Sequence, residues 1–596
     1  MSKQQLVDPN HLLHIRHTLA HLLAASVIEL YPGAQNAIGP AIDDGFYQDF
    51  FIPEPISDKE LPGIEKKMRE KLKAWQKLKT SEMKTVSVEE ARKQFAWNQY
   101  KTELINDFAK ESKGITFSLT GDFLDLCKGG HAEDLAQIKP DIFKLDRVAG
   151  AYWKGNEKNI MLTRIYGLAF ESKEKLKQHL FMLEEAKKRD HRKLGKEMDL
   201  FTFSDLVGAG LPLYTPRGTI LRDQLAQFSE ELQRANGFQK VWIPHITKND
   251  LYKKSGHWDK FGSELMLVKS QETSDEFVMK PMNCPHHTQI FASRPRSYRD
   301  LPIRYMETTT VYRDEKTGEL SGLTRVRSLT QDDAHIFCAM EQVESEFQQI
   351  MSMIKTLYNT LKMNFHARLS FSDPDQPEKY LGDRSQWEQA EATIEAVAKK
   401  LHLDYVIAPG EAAFYGPKID IMVTDALGRE WQCATEQLDF VQPMRFGLEY
   451  TDHDGAKKTP VMIHKALLGT IDRFLGVYIE HTAGAFPTWL APVQLAILPV
   501  GEDFVAACKE LRNQFVSVGI RCDLRDENES VGYKIRATSK EKIPYVIVVG
   551  EREAPKNGEW TPDTQLSVRV RGQEELLSIS LGEFLKKIQE EIRERK

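Results

Sequence analysis

The chain lacks any apolar run approaching the ~20 residues that cross a bilayer as a helix, which excludes a helical integral membrane protein. Its start, MSKQQLVDPNHLLHIRHTLAH, lacks the basic segment, apolar stretch and small-residue cleavage site of an export signal. Cysteine is scarce: Cys127, Cys284, Cys338, Cys433, Cys508 and Cys522 are six in 596 residues, and no two form a CxxC pair. A disulfide framework and a zinc ribbon are therefore not expected, and a reducing cytoplasmic setting fits best. Neither sign of charge dominates, since the net charge is only -6, so there is no global signature of nucleic-acid binding. Local basic stretches such as KKRDHRKLGK (187–196) and SRPRSYRDLPIR (293–304) still leave room for RNA, although solvated faces are the commoner fate of such runs. Internal repeats and low-complexity segments are also missing.

What is present is enough apolar residue, 41%, and enough length for three or four ordinary domains. Residues 1–170 mix helical periodicity (HTLAHLLAASVIELY) with short strand-like runs (ITFSLTGDFLDL) and read as one α+β domain. A charged amphipathic stretch over 171–192 reads as a linking helix. From 193 to 488, β-branched and aromatic segments such as YMETTTVYRDE, RVRSLTQDDAHIFC and REWQCATEQLDF predict a largely antiparallel sheet with helices beside it. From 489 to 596, strands alternating with helices predict a compact α/β domain with mostly parallel pairing. The expected fold class is α+β multidomain.

Three separated residues then stand out: Cys284 in MNCPHH, His335 in QDDAHIF and His464 in PVMIHKALLG. Spacing alone would leave them as unrelated core residues. Their dense polar surroundings favour a shared zinc site, and three protein ligands leave a fourth position open for substrate. In the same block, YRDE places Arg313 beside Glu315 on a strand-like run, and RVRSLTQDD puts Arg325, Gln331 and Asp333 on a returning strand. Arg473 follows in ALLGTIDRFLG. Arginine forks match phosphate oxygens, so this set suits nucleotidyl transfer. In the first domain, His17 and His21 in HTLAH pair with Cys127 and His131 in LCKGGH; by residue type alone these four make a reasonable metal site.

YRDE with its following loop resembles motif 2 of the class II aminoacyl-tRNA synthetases, HKALLGTIDRF resembles motif 3, and TILRDQLAQFSEELQRANGFQKVWIP resembles motif 1. MNCP, QDDAHIF, FYGPKID, QCATEQLDF and PVMIH together look like the threonyl-tRNA synthetase family, over nearly the whole chain. The resemblance implies an antiparallel class II catalytic core, an N-terminal editing domain and a C-terminal anticodon-binding domain, in a cytoplasmic homodimer. It implies one Zn2+ per chain on Cys284, His335 and His464, ATP with Mg2+, and L-threonine and threonine tRNA as substrates. Arg313 would grip the α-phosphate and Arg325 and Arg473 the triphosphate; Asp333 would take the threonine hydroxyl. Gln331, Tyr415, Lys418, Gln432 and Gln437 would line the cleft. His17, His21, Cys127, His131, Lys101 and Asp125 would form the site that hydrolyses mischarged seryl-tRNA, without a required metal. RNA contacts in the last domain are expected around Arg525, Asn528, Glu529, Lys534 and Arg536. Two departures are noted: His286 stands where the family usually has glycine, and bacterial members commonly begin with a ubiquitin-like module of about 60 residues that this chain is expected to lack.

Overall fold

The computed structural model describes residues 10–78, 81–111, 114–555 and 559–596. The chain divides into two compact units, Met1–Glu184 and Glu185–Lys596.

In the first unit the helix His11–Leu30 supplies the apolar face that the sequence pattern predicts. Leu19, Leu22 and Leu23 join Phe46, Phe50, Phe143 and Ile165 in one buried core. Gly45–Phe51, Met161–Ala169 and Phe143–Tyr152 pair antiparallel in a five-stranded sheet, and Ser81–Val86, Ile115–Thr120 and Phe123–Leu126 form a separate three-stranded one. The expected linking helix runs Lys173–Arg189 and then stops. Asp190 caps a second short helix, His191–Glu197, by accepting the Arg192 N–H, so the segment is two helices and not one.

The second unit is built on an eight-stranded sheet. Six strands, Ile303–Tyr312, Ser328–Cys338, Val461–Thr470, Glu430–Asp439, Lys418–Thr424 and Asn364–Phe371, are consecutive antiparallel neighbours, with Gln239–Lys240 and Tyr405–Pro409 parallel at the two edges. The helices Pro216–Ala235, Val343–Thr360 and Ile471–Thr482 bury Leu221, Phe347 and Phe474 in the core on one face. Strand Ser328–Cys338 is itself buried almost throughout although its sequence, SLTQDDAHIFC, is largely polar, so its polar side chains face partners inside the protein.

The last segment forms a five-stranded sheet ordered Cys522–Leu524, Leu495–Pro499, Tyr545–Val549, Gln565–Val570, Leu577–Ser580. Its first two pairings are parallel and the other two antiparallel, so the expectation of mostly parallel pairing needs correction. For the last of these pairings the physical reason is connection length. No crossover helix fits between Val570 and Leu577, and a short connection can only turn the chain back antiparallel. Among the described residues no helix is long and apolar enough to cross a membrane.

Candidate functional site

Strand register brings the central residues together. His335 lies directly opposite His464, His464 opposite Gln437, and Gln437 opposite Lys418, so one row crosses four strands. Cys284 reaches this row from the start of the helix Cys284–Ala292, with Pro285 at a position where a missing N–H costs nothing. The ligand atoms of Cys284, His335 and His464 all lie within 4.8 Å of one another, and all three residues are buried.

Neighbouring side chains fix which nitrogens point inward. Asp439 Oδ2 lies 2.8 Å from His464 Nε2, so that nitrogen carries the proton and Nδ1 keeps its lone pair. His335 Nδ1 lies 2.8 Å from His287 Nδ1, which leaves Nε2 of His335 for the centre of the cluster. The Cys284 thiol is pushed well above its ordinary pKa by burial, with the charges of Asp333 and Asp439 adding to the effect. A buried thiol in anionic surroundings is costly to ionise alone, whereas a divalent cation reverses that cost. A cysteine and two histidines with hydrogen-bonded second partners therefore fit a transition metal.

The remaining expected residues surround this cluster. Tyr415 stacks on His464 with ring centroids 4.8 Å apart and donates to Gln437 Oε1 at 2.6 Å. Asp333 accepts from Asn283 Nδ2 at 2.9 Å, and burial raises its carboxyl to about 6. Lys418 and Gln432 both donate to Asp420, at 2.7 Å each, in a polar cluster shared with Arg368 and Ser370. Buried polar atoms without a protein partner include Arg313 Nε, Arg473 Nε and Gln331 Oε1. Arg313 also donates to Met282 Sδ at 3.2 Å and faces the Phe261 ring at 5.2 Å.

Two placements differ from expectation. Arg313 follows the strand that ends at Tyr312, and Arg325 precedes the strand that begins at Ser328, so both belong to the connecting loop. The loop is ordered by its own bonds: Ser321 pairs with Arg325, and the Arg327 guanidinium donates to the Glu315 carbonyl. Arg325 is half exposed and pairs with Glu315 and Glu319. His286 does not occupy a glycine-only conformation; it lies within a helical turn, outside the positive-φ residues, buried with its ring edge-on to Tyr252. Burial holds its imidazole down to about 4.

Sequence reasoning missed His257, Asn283, His287, Asp439 and Gln442. His257 Nε2 and Gln442 Nε2 lie 3.8 and 3.6 Å from Cys284 Sγ. Asn283 and His287 flank Cys284 inside MNCPHH and were within reach of a closer reading. Asp439 is recognisable only once its strand is paired with that of His464.

In the first unit, His17, His21, Cys127 and His131 also gather with their ligand atoms within 4.8 Å of one another, a spacing that could hold a metal ion. Gly129 and Gly130, both at positive φ (94° and 82°), turn the chain so that Cys127 and His131 face the helix carrying His17 and His21. His17 Nδ1 donates to the Gly130 carbonyl at 3.2 Å, leaving Nε2 toward Cys127 Sγ at 3.6 Å. Cys127 Sγ lies 3.2 Å from His131 Nε2. Burial holds His131 down to about 3 and His21 well below its usual range, so these imidazoles are neutral at pH 7. Lys101 and Asp125 form a buried ion pair at 2.7 Å beside them, and a cavity of about 290 Å³ is lined by His17, His21, Lys101, Asp125 and Cys127.

In the last domain, two expected RNA contacts are turned inward. Lys534 is buried and donates to the Pro499 carbonyl, and Arg525 is paired with Glu541 and Asp523. Asn528, Glu529 and Arg536 are exposed.

Residues 266–482 match the family of the tRNA synthetase class II core domain (G, H, P, S and T), and residues 494–591 match the anticodon binding domain family. A threonine–tRNA ligase of Gloeobacter violaceus is 45% identical over 594 residues, covering 99% of this chain and 94% of that relative. One from Thermus thermophilus is 44% identical over 605 residues, covering 99% and 90%. Among solved structures, the RNA binding domain of threonyl-tRNA synthetase from Cryptosporidium parvum superposes with a TM-score of 0.63 at 35% identity, covering 67% of this chain and 98% of that one.

Proposed function

The chain belongs to the threonine–tRNA ligase family of class II aminoacyl-tRNA synthetases, and from that premise we propose how its residues divide the work. The observation that carries the reading is the row of buried residues in which Asp439 fixes the tautomer of His464 and His287 occupies the outward nitrogen of His335 around Cys284. Cys284 Sγ, His335 Nε2 and His464 Nδ1 would hold one Zn2+ per chain. When bound, that ion supplies a Lewis-acid position for the amino and hydroxyl groups of threonine.

The chain's own residues do the rest. Asp333, oriented by Asn283, accepts the hydroxyl proton of threonine in a hydrogen bond that valine cannot make. A merely apolar pocket separates such near-isosteres by only about a hundredfold, so a required hydroxyl partner is what raises selectivity. In the first step a threonine carboxylate oxygen attacks the α-phosphorus of ATP and pyrophosphate leaves. Arg313 takes the α-phosphate oxygens as charge builds on them, while Arg325 and Arg473 hold the triphosphate, which Mg2+ accompanies. In the second step a ribose hydroxyl of the tRNA's terminal adenosine attacks the activated carbonyl and AMP leaves. Gln331, Tyr415, Lys418, Gln432 and Gln437 line and orient the cleft.

Serine carries the same hydroxyl and fits wherever threonine does, so a second site is needed. The quartet His17, His21, Cys127 and His131, with Lys101 and Asp125, would hydrolyse seryl-tRNA with a histidine-bound water; its neutral imidazoles and open cavity support this. A homodimer through the motif 1 segment accords with the exposure of Trp242 (76%) near the end of that segment. A cytoplasmic location accords with six buried free cysteines.

The deciding experiment is amino-acid-dependent ATP–pyrophosphate exchange across all twenty amino acids, with bound zinc determined on the same sample. Exchange with threonine, weakly with serine and not with valine, alongside one zinc per chain, is expected. Valine-dependent exchange, or threonine exchange without metal, would overturn the assignment of the pocket.

A further inference from the structure

A third cluster, Asp190, His191 and Glu480, has its donor atoms within 4.8 Å of one another, as a metal site would. Its bonds point elsewhere. Glu480 Oε1 accepts both the His191 Nδ1–H at 2.7 Å and the His191 backbone N–H at 3.1 Å, and Glu480 Oε2 accepts from Arg429. With Nδ1 protonated, Nε2 is an acceptor, and it receives the backbone N–H of Leu323 at 3.0 Å. Asp190 is occupied by Arg192. Both imidazole nitrogens are committed, so no lone pair is left for an ion.

The two partners of His191 identify what it holds. Leu323 is a fully buried residue of the loop between the strands ending at Tyr312 and beginning at Ser328, the loop that contains Arg313 and Arg325. Glu480 lies in the last turn of the helix Ile471–Thr482, which carries Arg473. One imidazole therefore fastens the loop to the helix. The contact is tight: a Cβ on Gly322, which sits at φ +49°, would come within 2.1 Å of His191 Nε2, and one on Gly476 would meet Leu323 and Thr324 at 3.3 Å. Arg189, two residues before His191, donates to the carbonyls of Glu480 and His481, so the same segment also closes the end of that helix. His191 stands outside residues 266–482, the span matched as a class II core.

We propose that His191 is a positioning residue for adenylation: by bonding Leu323 with Nε2 and Glu480 with Nδ1, it sets the spacing between the loop bearing Arg313 and Arg325 and the helix bearing Arg473. This rests on the reading that those arginines take the phosphates of ATP. The role needs two opposite functions, a donor at Nδ1 and an acceptor at Nε2, and conservative variants separate them. Asparagine places an amide where Nδ1 was but cannot reach Leu323, while glutamine places a carbonyl near the Nε2 position.

The test measures KM for ATP, KM for threonine and kcat in the exchange reaction of the full chain for His191→Asn and His191→Gln. Amide hydrogen exchange of the peptide containing Leu323 is followed in parallel. Loss of one hydrogen bond that orders a loop predicts a rise of about five- to tenfold in KM for ATP with His191→Asn. KM for threonine should stay within about twofold, exchange at Leu323 should be faster, and His191→Gln should recover most of the ATP effect. Unchanged ATP KM with Leu323 still protected in His191→Asn overturns the proposal. So does an equal rise in both KM values accompanied by a lower unfolding temperature in both variants, which is what a merely structural histidine would give. Arg325→Ala and Arg313→Ala serve as controls. If they leave KM for ATP unchanged, the phosphate assignment falls, and the tether is then judged by Leu323 exchange alone, faster exchange supporting it and unchanged exchange overturning it.

Discussion

Ser229, on the helix Pro216–Ala235, donates its hydroxyl to Asp332 at 2.5 Å, and the same fully buried carboxylate accepts the backbone N–H groups of Leu467, Leu468 and Gly469. One side chain thus joins the three regions that resemble motifs 1, 2 and 3, at the point where the strand register shifts between Gln331 and Asp333. Its neighbour Lys465 is fully buried as well, held down to about 7 by burial although Asp332, Asp333 and Glu436 oppose that. The catalytic row lies on one face of these strands, and this charged network underlies the other.

Asp332→Asn should therefore be among the most damaging single changes in the second unit. The amide keeps one acceptor for several converging N–H donors and turns an NH2 toward the rest, leaving buried donors unmatched at a cost of about 1–3 kcal/mol each. An unfolding midpoint lower by about 5–10 °C is expected for the large unit, together with slower threonine activation. Ser229→Ala removes one bond and should cost about 1 kcal/mol. Differential scanning calorimetry of both variants decides it, and equal effects would show that Asp332 is not the organising member.

Cys284→Ser should abolish metal retention and threonine activation together, because a serine hydroxyl is a poor ligand where a buried thiolate is wanted. Chelation of the parent protein should give the same loss, reversed by added Zn2+. Undiminished threonine-dependent exchange in metal-free Cys284→Ser protein would sink the zinc assignment.

His17→Ala combined with His21→Ala should leave threonine activation intact while seryl-tRNA accumulates under serine challenge. The pH dependence is equally specific. His131 is held down to about 3, so it stays neutral across the working range. After subtraction of the uncatalysed rate, hydrolysis should change less than twofold between pH 8 and 6, where an imidazole of ordinary pKa would lose about fourfold of its base form. The linkage sign follows from a depressed native pKa. Below about 6.5 the unfolded chain takes up a proton that native His131 refuses, so its contribution lowers stability as pH falls from 6.5 toward 3 and leaves stability unaffected above that window. A bell-shaped hydrolysis profile centred near pH 6.5 would refute the buried, neutral quartet.

How much of this was legible beforehand depends on the range of the forces involved. His335 could be picked from sequence because it follows the paired carboxylates of QDDAHIF, which a core strand seldom carries, whereas His464, in a mostly apolar buried strand, and Cys284, at a helix start, stood out only through the motifs that resemble the family. Their second partners could not, since Asp439 becomes relevant only through antiparallel pairing with the strand of His464, which is a tertiary fact. Arg313 and Arg325 read as strand residues because local β-propensity runs through Tyr312 and resumes at Ser328, while the loop between them is closed by Ser321 pairing with Arg325 and by the Arg327 guanidinium donating to the Glu315 carbonyl. The break at Asp190 was visible in principle, as an Asp heading a new helix, but the charged periodicity on either side masked it. The terminal hairpin was legible in principle, because Gln565–Val570 alternates polar residues with Leu566, Val568 and Val570 as a half-buried strand does.

Asp439 gives the sharpest remaining test, because its two oxygens are both constrained. Oδ1 accepts the backbone N–H groups of Val441 and Gln442 at 2.7 and 2.9 Å, while Oδ2 accepts His464 Nε2–H and Gln442 Nε2. In Asp439→Asn the carbonyl oxygen must stay on the backbone donors, so the NH2 faces His464. The imidazole can then satisfy it only by presenting Nε2 as an acceptor, which moves its proton to Nδ1, the nitrogen proposed to ligate. The substitution is nearly isosteric and should leave the unfolding temperature within a few degrees. Metal affinity, measured by competition with a chromogenic chelator, should fall by about 10- to 100-fold, and KM for threonine should rise with it. Parental metal affinity in a folded Asp439→Asn protein would mean that His464 binds through Nε2 or does not bind at all.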